Sequence, residues 1–345
     1  MTARLRLVGW VVLLAALTLG PLAISSGRWI AFLELTLFAA VLGQGWNILG
    51  GYGGQYSFGH AIFFGTGAYL QALLQFDHGW SPWAALWVAI LGAVLVGAFV
   101  GYLCFRYGLR GSYFALVTLA FAEAFRVLAN SLIFITEGGR GVQLDLNQDP
   151  DKAIAVFQFT FAGDFLKAYG NYYTILIILV LGFAATWVMA RSRFGAQLVA
   201  VRENEDAAEA LGINAFRVKM GAICMSAAIT ASAGVYYTQK FLFVDPNIAY
   251  GPGKSVEALV APIIGGLGTV LGPLVGAVFI QAIGEGAKEL TVLVWEERPG
   301  LDLILFGVVL ILVLAFLPKG LVGLMETAWR RLARALPRAG DKAGA

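Results

Sequence analysis

The sequence predicts an all-α integral membrane protein with about ten transmembrane helices, some of them short or broken, and with both termini in the cytoplasm. Of its 345 residues, 59% are hydrophobic and only 13% are charged, whereas soluble domains carry about 25% charged residues. The mean hydropathy is +0.77, and 43 residues are glycine, as expected where helices pack closely inside a membrane. A soluble fold could not bury this much apolar surface, so the surplus must face lipid.

The apolar runs of the sequence set the number of helices. A bilayer core of about 30 Å requires roughly 20 apolar residues per helix. The first run follows Arg4 and Arg6 as a secretory signal would, but it is rather long for a signal core and is interpreted as a span. The eighth run is too short for a continuous straight crossing and suggests a broken pair with the ninth. The predicted spans are residues 7–24, 30–49, 58–76, 83–104, 112–135, 171–190, 218–240, 255–266, 270–287 and 301–317.

The distribution of lysine and arginine predicts the orientation in the membrane. Short cytoplasmic loops carry an excess of these residues. With a cytoplasmic N-terminus, most of the 24 basic residues fall on the cytoplasmic side, and the C-terminus lies there as well. The basic residues assigned to this side are Arg4, Arg6, Arg106, Arg110, Arg191, Arg193, Arg202, Arg217, Lys219, Lys319, Arg330, Arg331, Arg334, Arg338 and Lys342.

A single transmembrane domain is expected over residues 1–345, with two long connections and a tail outside the membrane. The outer connection, residues 136–170, is rich in aspartate and glutamate. The inner connection, residues 191–217, is rich in charge and alanine. The basic tail, residues 328–345, is expected to form a surface-lying or frayed helix in the cytoplasm.

The stretch GYGGQYSFGHAIFFGTGAY, residues 51–69, combines apolar character with many glycines and several polar side chains. Irregular backbone at membrane depth is tolerated only inside protein or along a water-filled cavity. We therefore predict that the chain unwinds here to line a passage, and the polar side chains favour this over the alternative of simple helix packing. The predicted lining residues are Gln55, Ser57, Gly59, His60, Gly65 and Gly67.

The second half contains a matching stretch, Ala261 to Gly276, with five glycines and two prolines. Interrupted apolar segments at corresponding positions of two halves point to the midplane site of a transporter. Glycines spaced by four residues also suit close helix packing, so both interpretations stay open here. The candidate passage residues of this stretch are Gly265, Gly266 and Gly268.

Two opposite charges, Glu123 and Arg126, lie within the fifth predicted span. Charges inside a membrane are costly and often functional. At a spacing of three residues on a helix, however, they can pair with each other. We predict a structural ion pair that faces the protein interior, with a functional role as the alternative.

The sequence predicts no catalytic residues and no metal or cofactor site in this chain. Residues 55–59 lack the first glycine of a nucleophile elbow, and no strand precedes them. Residues 251–255 end like a phosphate-binding loop, but Ile248 occupies the position of the required glycine. His60 and His78 form no metal-ligand spacing with the two cysteines.

The inner connection contains a predicted short helix that Asn204 caps and Gly212 ends in a left-handed conformation. Acidic residues in its first turn are favourable there. The helix would present a small apolar side to a groove in another protein, and Glu205 and Glu209 would meet basic residues on the rim of that groove. A solvated linker helix is the alternative. The residues assigned to this contact are Glu203, Glu205, Asp206, Ala207, Ala208, Leu211 and Gly212.

These stretches resemble the permease subunits of bacterial ABC importers for branched-chain amino acids, the LivH/LivM family, and are more similar to the LivM member. Residues 51–69 resemble the glycine-rich motif of the family. Residues 203–214 resemble its cytoplasmic coupling loop, with Asp206 where many importers have glutamate. Residues 255–276 and 317–323 fit the same pattern. The similarity extends over about residues 30–324.

The resemblance implies a transport subunit, and not an enzyme, in the bacterial inner membrane. Its implied partners are a second permease, two ATP-binding cassette subunits that bind ATP and Mg²⁺, and a periplasmic substrate-binding protein, with no nucleic acid involved. Related permeases carry sugars, nucleosides, urea or short amides, so another small polar solute is an alternative substrate. A stand-alone secondary carrier is the alternative from another class of function.

The predicted break also suggests how an amino acid could pass. Backbone N–H groups at a helix N-terminus near Gly51–Ser57 would meet the substrate carboxylate. Phe63 and Phe64 would form apolar walls for the side chain. No fixed cation is visible near the break in the sequence.

Overall fold

The computed structural model describes residues 12–24, 26–295, 301–316, 320–324 and 327. Within these ranges the chain is almost entirely helical, with one pair of two-residue strands. Residues 7–11 of the first predicted span and the predicted tail, residues 328–345, lie outside the described residues.

The helices follow one another through mostly short connections. They are α1 (Val12–Ala23), α2 (Gly27–Trp46), α3 (His60–Phe76), α4 (Pro82–Arg106), α5 (Gly111–Ser131), α6 (Ile133–Thr136), α7 (Asp164–Arg191), α8 (Arg193–Glu203), α9 (Glu205–Ala210), α10 (Ala215–Phe241), α11 (Pro246–Ala249), α12 (Pro252–Gly265), α13 (Gly272–Trp295) and α14 (Leu301–Phe316). The strands are β1 (Val142–Gln143) and β2 (Phe243–Val244).

Five of the described helices are long and apolar enough to cross a membrane: α2 with its continuation to Tyr52, α4, α5, α7 and α10. They coincide with five of the predicted spans. Helices α3, α12, α13 and α14 lie where four further spans are predicted. The fifth span is shorter than predicted because α5 ends at Ser131 and a separate turn, α6, follows. The prediction of an all-α membrane protein is thus confirmed.

Helix α10 lies at the centre of the bundle, against α2, α3, α4 and α7. Small residues permit this close contact. A Cβ atom added to Gly97 of α4 would lie 2.9 Å from the Cβ of Ala227, and one added to Gly234 of α10 would lie 2.2 Å from the carbonyl oxygen of Phe64. Glycine at these positions lets the helix backbones approach, as is common between membrane helices.

The long connection between α6 and α7, residues 137–163, folds as a cap segment on one end of the bundle. It is shorter than the predicted outer connection of residues 136–170 because α7 begins at Asp164. The Trp83 ring of α4 stacks on Phe157 with ring centroids 4.8 Å apart. Its indole Nε1 also donates a hydrogen bond to the carbonyl of Ile154 at 2.8 Å. Strand β1 of the cap segment pairs antiparallel with β2, which follows α10.

Candidate functional site

The first helix break, residues 47–59, confirms the unwinding predicted within residues 51–69. Helix α2 passes into a π-helical turn, Asn47–Tyr52, and the backbone is then irregular until α3 begins at His60. Gly54 has a φ angle of +65°, a left-handed conformation that glycine adopts without a steric penalty. The glycines of this stretch therefore end one helix before the next begins.

The polar side chains of the first break point into the chain. Gln55, Ser57 and His60 are all buried. The His60 Nε2 atom lies 2.8 Å from the hydroxyl of Ser226 on α10, and the Gln55 amide donates to the carbonyl of Gly53 at 3.3 Å. All three side chains are thus enclosed by the chain itself, and their place along a passage stays a prediction.

Aromatic side chains form the exposed side of the first break. Tyr56 and Phe58 are exposed, whereas the residues before, between and after them are buried. Successive side chains of an extended segment point to opposite sides, and this alternation is the signal that the sequence analysis missed. The surface of the break is therefore aromatic, and its polar side chains face inward.

Hydroxyl groups of this chain already accept hydrogen bonds from the backbone N–H groups at the start of α3. Three backbone N–H groups that could meet a substrate carboxylate instead donate to side chains of this chain. Their helix position attracts anions, but each N–H group has a partner. The pairs are Phe58 N–H with Thr118 Oγ1 at 3.1 Å, Gly59 N–H with Ser57 Oγ at 3.1 Å, and Ala61 N–H with Ser255 Oγ at 2.9 Å.

Three glycines assigned to the passage lie in tight packing contacts. A Cβ atom added to Gly65 would lie 2.6 Å from the ring of Tyr250, and one added to Gly67 would lie 2.5 Å from the carbonyl oxygen of Ala231. At Gly59 the same atom would lie 2.7 Å from the carbonyl oxygen of Thr118. The alternative of close helix packing accounts for these three positions.

The second helix break, residues 266–271, separates α12 from α13 and confirms the broken pair predicted there. Gly266 and Gly268 have φ angles of +138° and +67°, so both turn the backbone in ways that other residues rarely adopt. A Cβ atom added to Gly265 would lie only 1.7 Å from the carbonyl oxygen of Gly272. Gly265 therefore allows the two helices to pack, while Gly266 and Gly268 form the turn.

Asn47 joins the two breaks directly. Its side-chain oxygen accepts a hydrogen bond from the Gly268 N–H at 2.9 Å, and its side-chain nitrogen donates to the Thr269 carbonyl at 2.8 Å. Asn47 is fully buried, and it is a polar residue inside the predicted span 30–49. That position is the signal by which sequence reasoning could have found it, since a buried amide requires partners.

Arg202, at the end of α8, reaches the same junction. Its Nη1 atom donates to the carbonyl of Gly51 at 2.9 Å. A Cβ atom added to Gly268 would lie 3.1 Å from that Nη1 atom, so the guanidinium lies against both breaks. Its Nε and Nη2 atoms donate to one carboxylate oxygen of Glu203 at 3.0 and 2.5 Å.

Helix α9 forms where the short helix is predicted. The Asn204 side chain accepts a hydrogen bond from the Ala207 N–H at 2.9 Å, which is the expected N-cap. Gly212 follows the helix with a φ angle of +84°, and the Ile213 N–H donates to the Ala208 carbonyl at 3.1 Å. The predicted cap and left-handed end are both confirmed.

The predicted apolar docking side of α9 requires one correction. Ala208 is only 3% exposed and belongs to the apolar core formed with α3, α4 and α10. Leu211 is 82% exposed, and Ala207 is exposed as well. Ala208 therefore attaches α9 to its own chain, whereas Ala207 and Leu211 stay exposed.

The acidic first turn of α9 binds to basic residues of the same chain, so Glu205 does not face outward as predicted. Its carboxylate lies 2.5 Å from the ammonium of Lys219 on α10 and 3.1 Å from Arg110 in the α4–α5 turn. Asp206 lies 3.0 Å from Arg110, and this hydrogen bond raises the pKa of the Arg110 guanidinium. The helix is thus held against two other parts of the bundle.

The Arg202 guanidinium is a fixed cation at the first break, contrary to the expectation from sequence, and a second fixed cation lies among α2, α3 and α10. Lys254 precedes Ser255, whose hydroxyl accepts the Ala61 N–H. Its ammonium lies 2.8 Å from Glu257 and between 5.2 and 5.3 Å from the ring centroids of Phe38, Phe64 and Tyr237. Such aromatic faces stabilise a cation. Only the tertiary fold reveals this arrangement.

Glu123 and Arg126 form the predicted ion pair at 2.5 Å, but the pair does not face the interior of the chain. The two side chains are 49% and 30% exposed. Arg126 also donates to the side-chain oxygen of Asn247 on α11 at 2.7 Å. A charged surface patch therefore lies between α5 and α11.

Comparisons with known proteins show which family this chain belongs to. The family described as "Branched-chain amino acid transport system / permease component" matches residues 29–314. The permease protein LivM of Escherichia coli is 28% identical over 329 residues, which cover 90% of this chain and 74% of LivM. LivM of Salmonella typhimurium is 27% identical over 319 residues, which cover 88% of this chain and 71% of the relative. LivH of Escherichia coli is 26% identical over 298 residues, which cover 83% of this chain and 92% of LivH. The match over most of its length, through both helix breaks and α9, shows that this chain belongs to the family of permease components of branched-chain amino acid transport systems.

Proposed function

We propose that this chain is the membrane-spanning permease subunit of a bacterial ABC importer that translocates branched-chain amino acids. The observation that carries the proposal is the family match over residues 29–314. LivM and LivH, the relatives compared above, are named as permease proteins of high-affinity branched-chain amino acid transport systems. The identity and the covered share of this chain are higher for LivM than for LivH, in line with the predicted resemblance.

We further propose a single domain over residues 1–345 in the bacterial inner membrane, with about ten spans and cytoplasmic termini. The bias of Lys and Arg toward one side supports this orientation. It places α8 and α9 in the cytoplasm and the cap segment on the periplasmic side. A thiol reagent that does not cross the membrane should then label Gln148→Cys in intact cells but not Asp206→Cys, and the opposite pattern would overturn the orientation.

A second permease is proposed as the neighbour of the patch between α5 and α11. Charges that face lipid are costly, and the Glu123–Arg126 pair remains partly exposed in the single chain. A neighbouring protein would shield it. The pair of relatives LivM and LivH in Escherichia coli, which share one system name, supports a partner that differs from this chain.

Two ATP-binding cassette subunits are proposed as partners, and one of them is proposed to dock on the exposed side of α9. Ala207 and Leu211 offer a small apolar contact, and burial of apolar area contributes about 25 cal/mol per Å². ATP and Mg²⁺ would bind to those subunits. In the part of the chain that the structure describes, no group of three His, Cys, Asp or Glu side chains could hold a metal ion. A periplasmic binding protein would deliver substrate from the side of the cap segment.

The substrate passage is proposed to follow the exposed face of the first break. Tyr56 and Phe58 are the side chains of the break that can contact a substrate, and their aromatic faces suit an aliphatic amino acid. Gln55, Ser57, Gly59, His60, Gly65 and Gly67 would shape the break from inside. Gly265, Gly266 and Gly268 would do the same at the second break.

Reconstitution tests the proposed function. The chain would be co-expressed with a second permease, ATPase subunits and a binding protein, and uptake of labelled leucine into proteoliposomes would be measured. Competition by isoleucine and valine, but not by urea or ribose, is expected. Inhibition by urea or ribose alone would favour another small polar solute, and uptake without the ATPase subunits would favour a stand-alone carrier.

A further inference from the structure

The guanidinium of Arg202 links the cytoplasmic helices to both helix breaks. Arg202 lies in the last turn of α8, two residues before Asn204, which caps α9. Its Nη1 atom donates to Gly51 at the end of the π-helical turn. The same atom lies close to Gly268 in the second break. One side chain of α8 therefore reaches two segments that are distant from it in sequence.

The carbonyl that Arg202 binds lies near the end of the π-helical turn of the first break. The carbonyls of Ile48, Leu49 and Gly50 accept backbone N–H groups of the residues that follow. The carbonyl of Gly51 accepts the guanidinium. Hydrogen bonds to charged groups are stronger than those between neutral groups. Arg202 thus continues the hydrogen bonding of α2 where the helix ends.

The chemistry of this contact requires arginine. Two nitrogens of the guanidinium bind Glu203, and the third binds Gly51. A lysine ammonium is a single flexible point charge and lacks this planar fork. Glu203 therefore fixes the plane of the guanidinium, and the plane directs Nη1 to Gly51.

Asn47 joins the two breaks by hydrogen bonds. Its amide forms one hydrogen bond to the N–H of Gly268 and one to the carbonyl of Thr269. Both bonds are formed by a fully buried side chain, and a buried amide that loses its partners is costly. A displacement of the first break is then transmitted to the second.

We propose that Arg202 is a positioning residue through which movement of α9 reaches both helix breaks, with Asn47 as the link between the breaks. We call the contacts of Arg202 with Gly51 and of Asn47 with Gly268 and Thr269 the latch. The latch rests on the proposed function, in which α9 docks on an ATPase subunit. When α9 moves, Arg202 moves with the end of α8 and displaces Gly51. Asn47 then carries the displacement to residues 266–271, so the two breaks open or close as one unit.

The test compares Arg202→Gln, Arg202→Lys and the control Arg193→Gln in the reconstituted complex. Arg193 lies at the other end of α8, so its replacement changes the charge of the same helix. Arg202→Gln is expected to leave ATPase co-purification and basal ATP hydrolysis close to wild type while uptake falls roughly tenfold, the factor that loss of a charged hydrogen bond permits. Uptake by Arg202→Lys should lie between that of Arg202→Gln and that of wild type, and uptake by Arg193→Gln should match wild type. Equal losses of hydrolysis and uptake in Arg202→Gln would overturn the latch.

Amide hydrogen exchange tests the latch independently of the proposed function. In Arg202→Gln, amide exchange in residues 47–59 and 266–271 should both accelerate, whereas the core of α10 should not change. Asn47→Leu should accelerate exchange in residues 266–271 even with Arg202 present. Unchanged exchange in both breaks would overturn the latch. If the wild-type complex carries no branched-chain amino acid, the proposed function fails, and the exchange measurement still decides on the latch.

Discussion

The carboxylate of Glu205 lies 2.5 Å from the ammonium of Lys219, and the Lys219 side chain is only 2% exposed. Glu205 begins α9, and Lys219 lies in the second turn of α10. The ammonium also lies 5.1 Å from the centroid of the Phe105 ring. The helix proposed to meet the ATPase is therefore attached to the central helix of the bundle by a buried ion pair.

Lys219→Met is expected to destabilise the detergent-solubilised protein. Removal of one partner from a buried ion pair leaves a charge without compensation and costs roughly 3–5 kcal/mol. Arg110 stays near Glu205, so the lower end of that range is expected. Thermal unfolding measures the effect. The double variant Glu205→Met with Lys219→Met removes both charges and should recover most of the loss, and an equally large loss in the double variant would contradict the prediction.

Replacement by tryptophan should have different effects at two neighbouring alanines of α9. Ala208→Trp overfills the core, at a cost of about 1–3 kcal/mol, and should lower the yield of monodisperse protein. Ala207→Trp lies on the exposed side and should leave the yield unchanged while ATPase co-purification weakens. Size-exclusion profiles and pull-downs report the two effects. Normal folding of Ala208→Trp would show that this side of α9 is not packed against the bundle.

Gly212→Val should impair coupling through backbone strain alone. The φ angle of Gly212 is +84°, and an added Cβ atom would meet no atom within 4 Å. The left-handed conformation costs a residue with a Cβ atom about 1 kcal/mol. ATPase stimulation is therefore expected to fall in Gly212→Val and to remain near wild type in Gly212→Asn, because asparagine tolerates this conformation. Equal ATPase stimulation in the two variants would show that the left-handed conformation of Gly212 does not matter for coupling.

Single cysteines distinguish the two sides of the first break. In a Cys104→Ala, Cys224→Ala background, which removes the free thiols, Tyr56→Cys and Phe58→Cys should react with a small water-soluble thiol reagent. Ser57→Cys should react far more slowly because its position is buried. If Ser57→Cys reacts as fast as its neighbours, the result would contradict this expectation and would support a passage lined by the polar side chains.

Trp83→Ala should release the cap segment. The variant loses the stacking on Phe157 and the hydrogen bond to Ile154, which together contribute about 2 kcal/mol. Limited proteolysis within residues 145–163 should become faster. Trp87→Ala, on the same helix at a 70% exposed position, serves as the control and should be cleaved like wild type. Faster cleavage in both variants would point to a general loosening of α4.

The features that the sequence predicts well depend on local chemistry. Asn204 and Gly212 mark the ends of α9 because capping and left-handed turns involve residues only a few positions apart. The glycines after Gly50 likewise end the helical turn that continues α2, because their effect on the backbone is local. Helix positions follow from apolar runs for the same reason.

The features that the sequence does not predict depend on contacts between distant segments. The burial of Ala208 follows from packing against α10, which the pattern of α9 alone cannot show. Glu205 faces inward because Lys219, 14 residues later, lies beneath it. Lys254 is surrounded by rings from α2, α3 and α10, three helices whose arrangement is not encoded in any one stretch.

The hydrogen bonds of Asn47 also set an order of events during biosynthesis. Its partner Gly268 is synthesised 221 residues later, and the hydroxyl that binds the Ala61 N–H belongs to Ser255. Until the ribosome has produced this later segment, the first break holds polar groups without their final partners. Helices α2 and α3 therefore reach their final arrangement only when the segment of α12 and α13 has joined them.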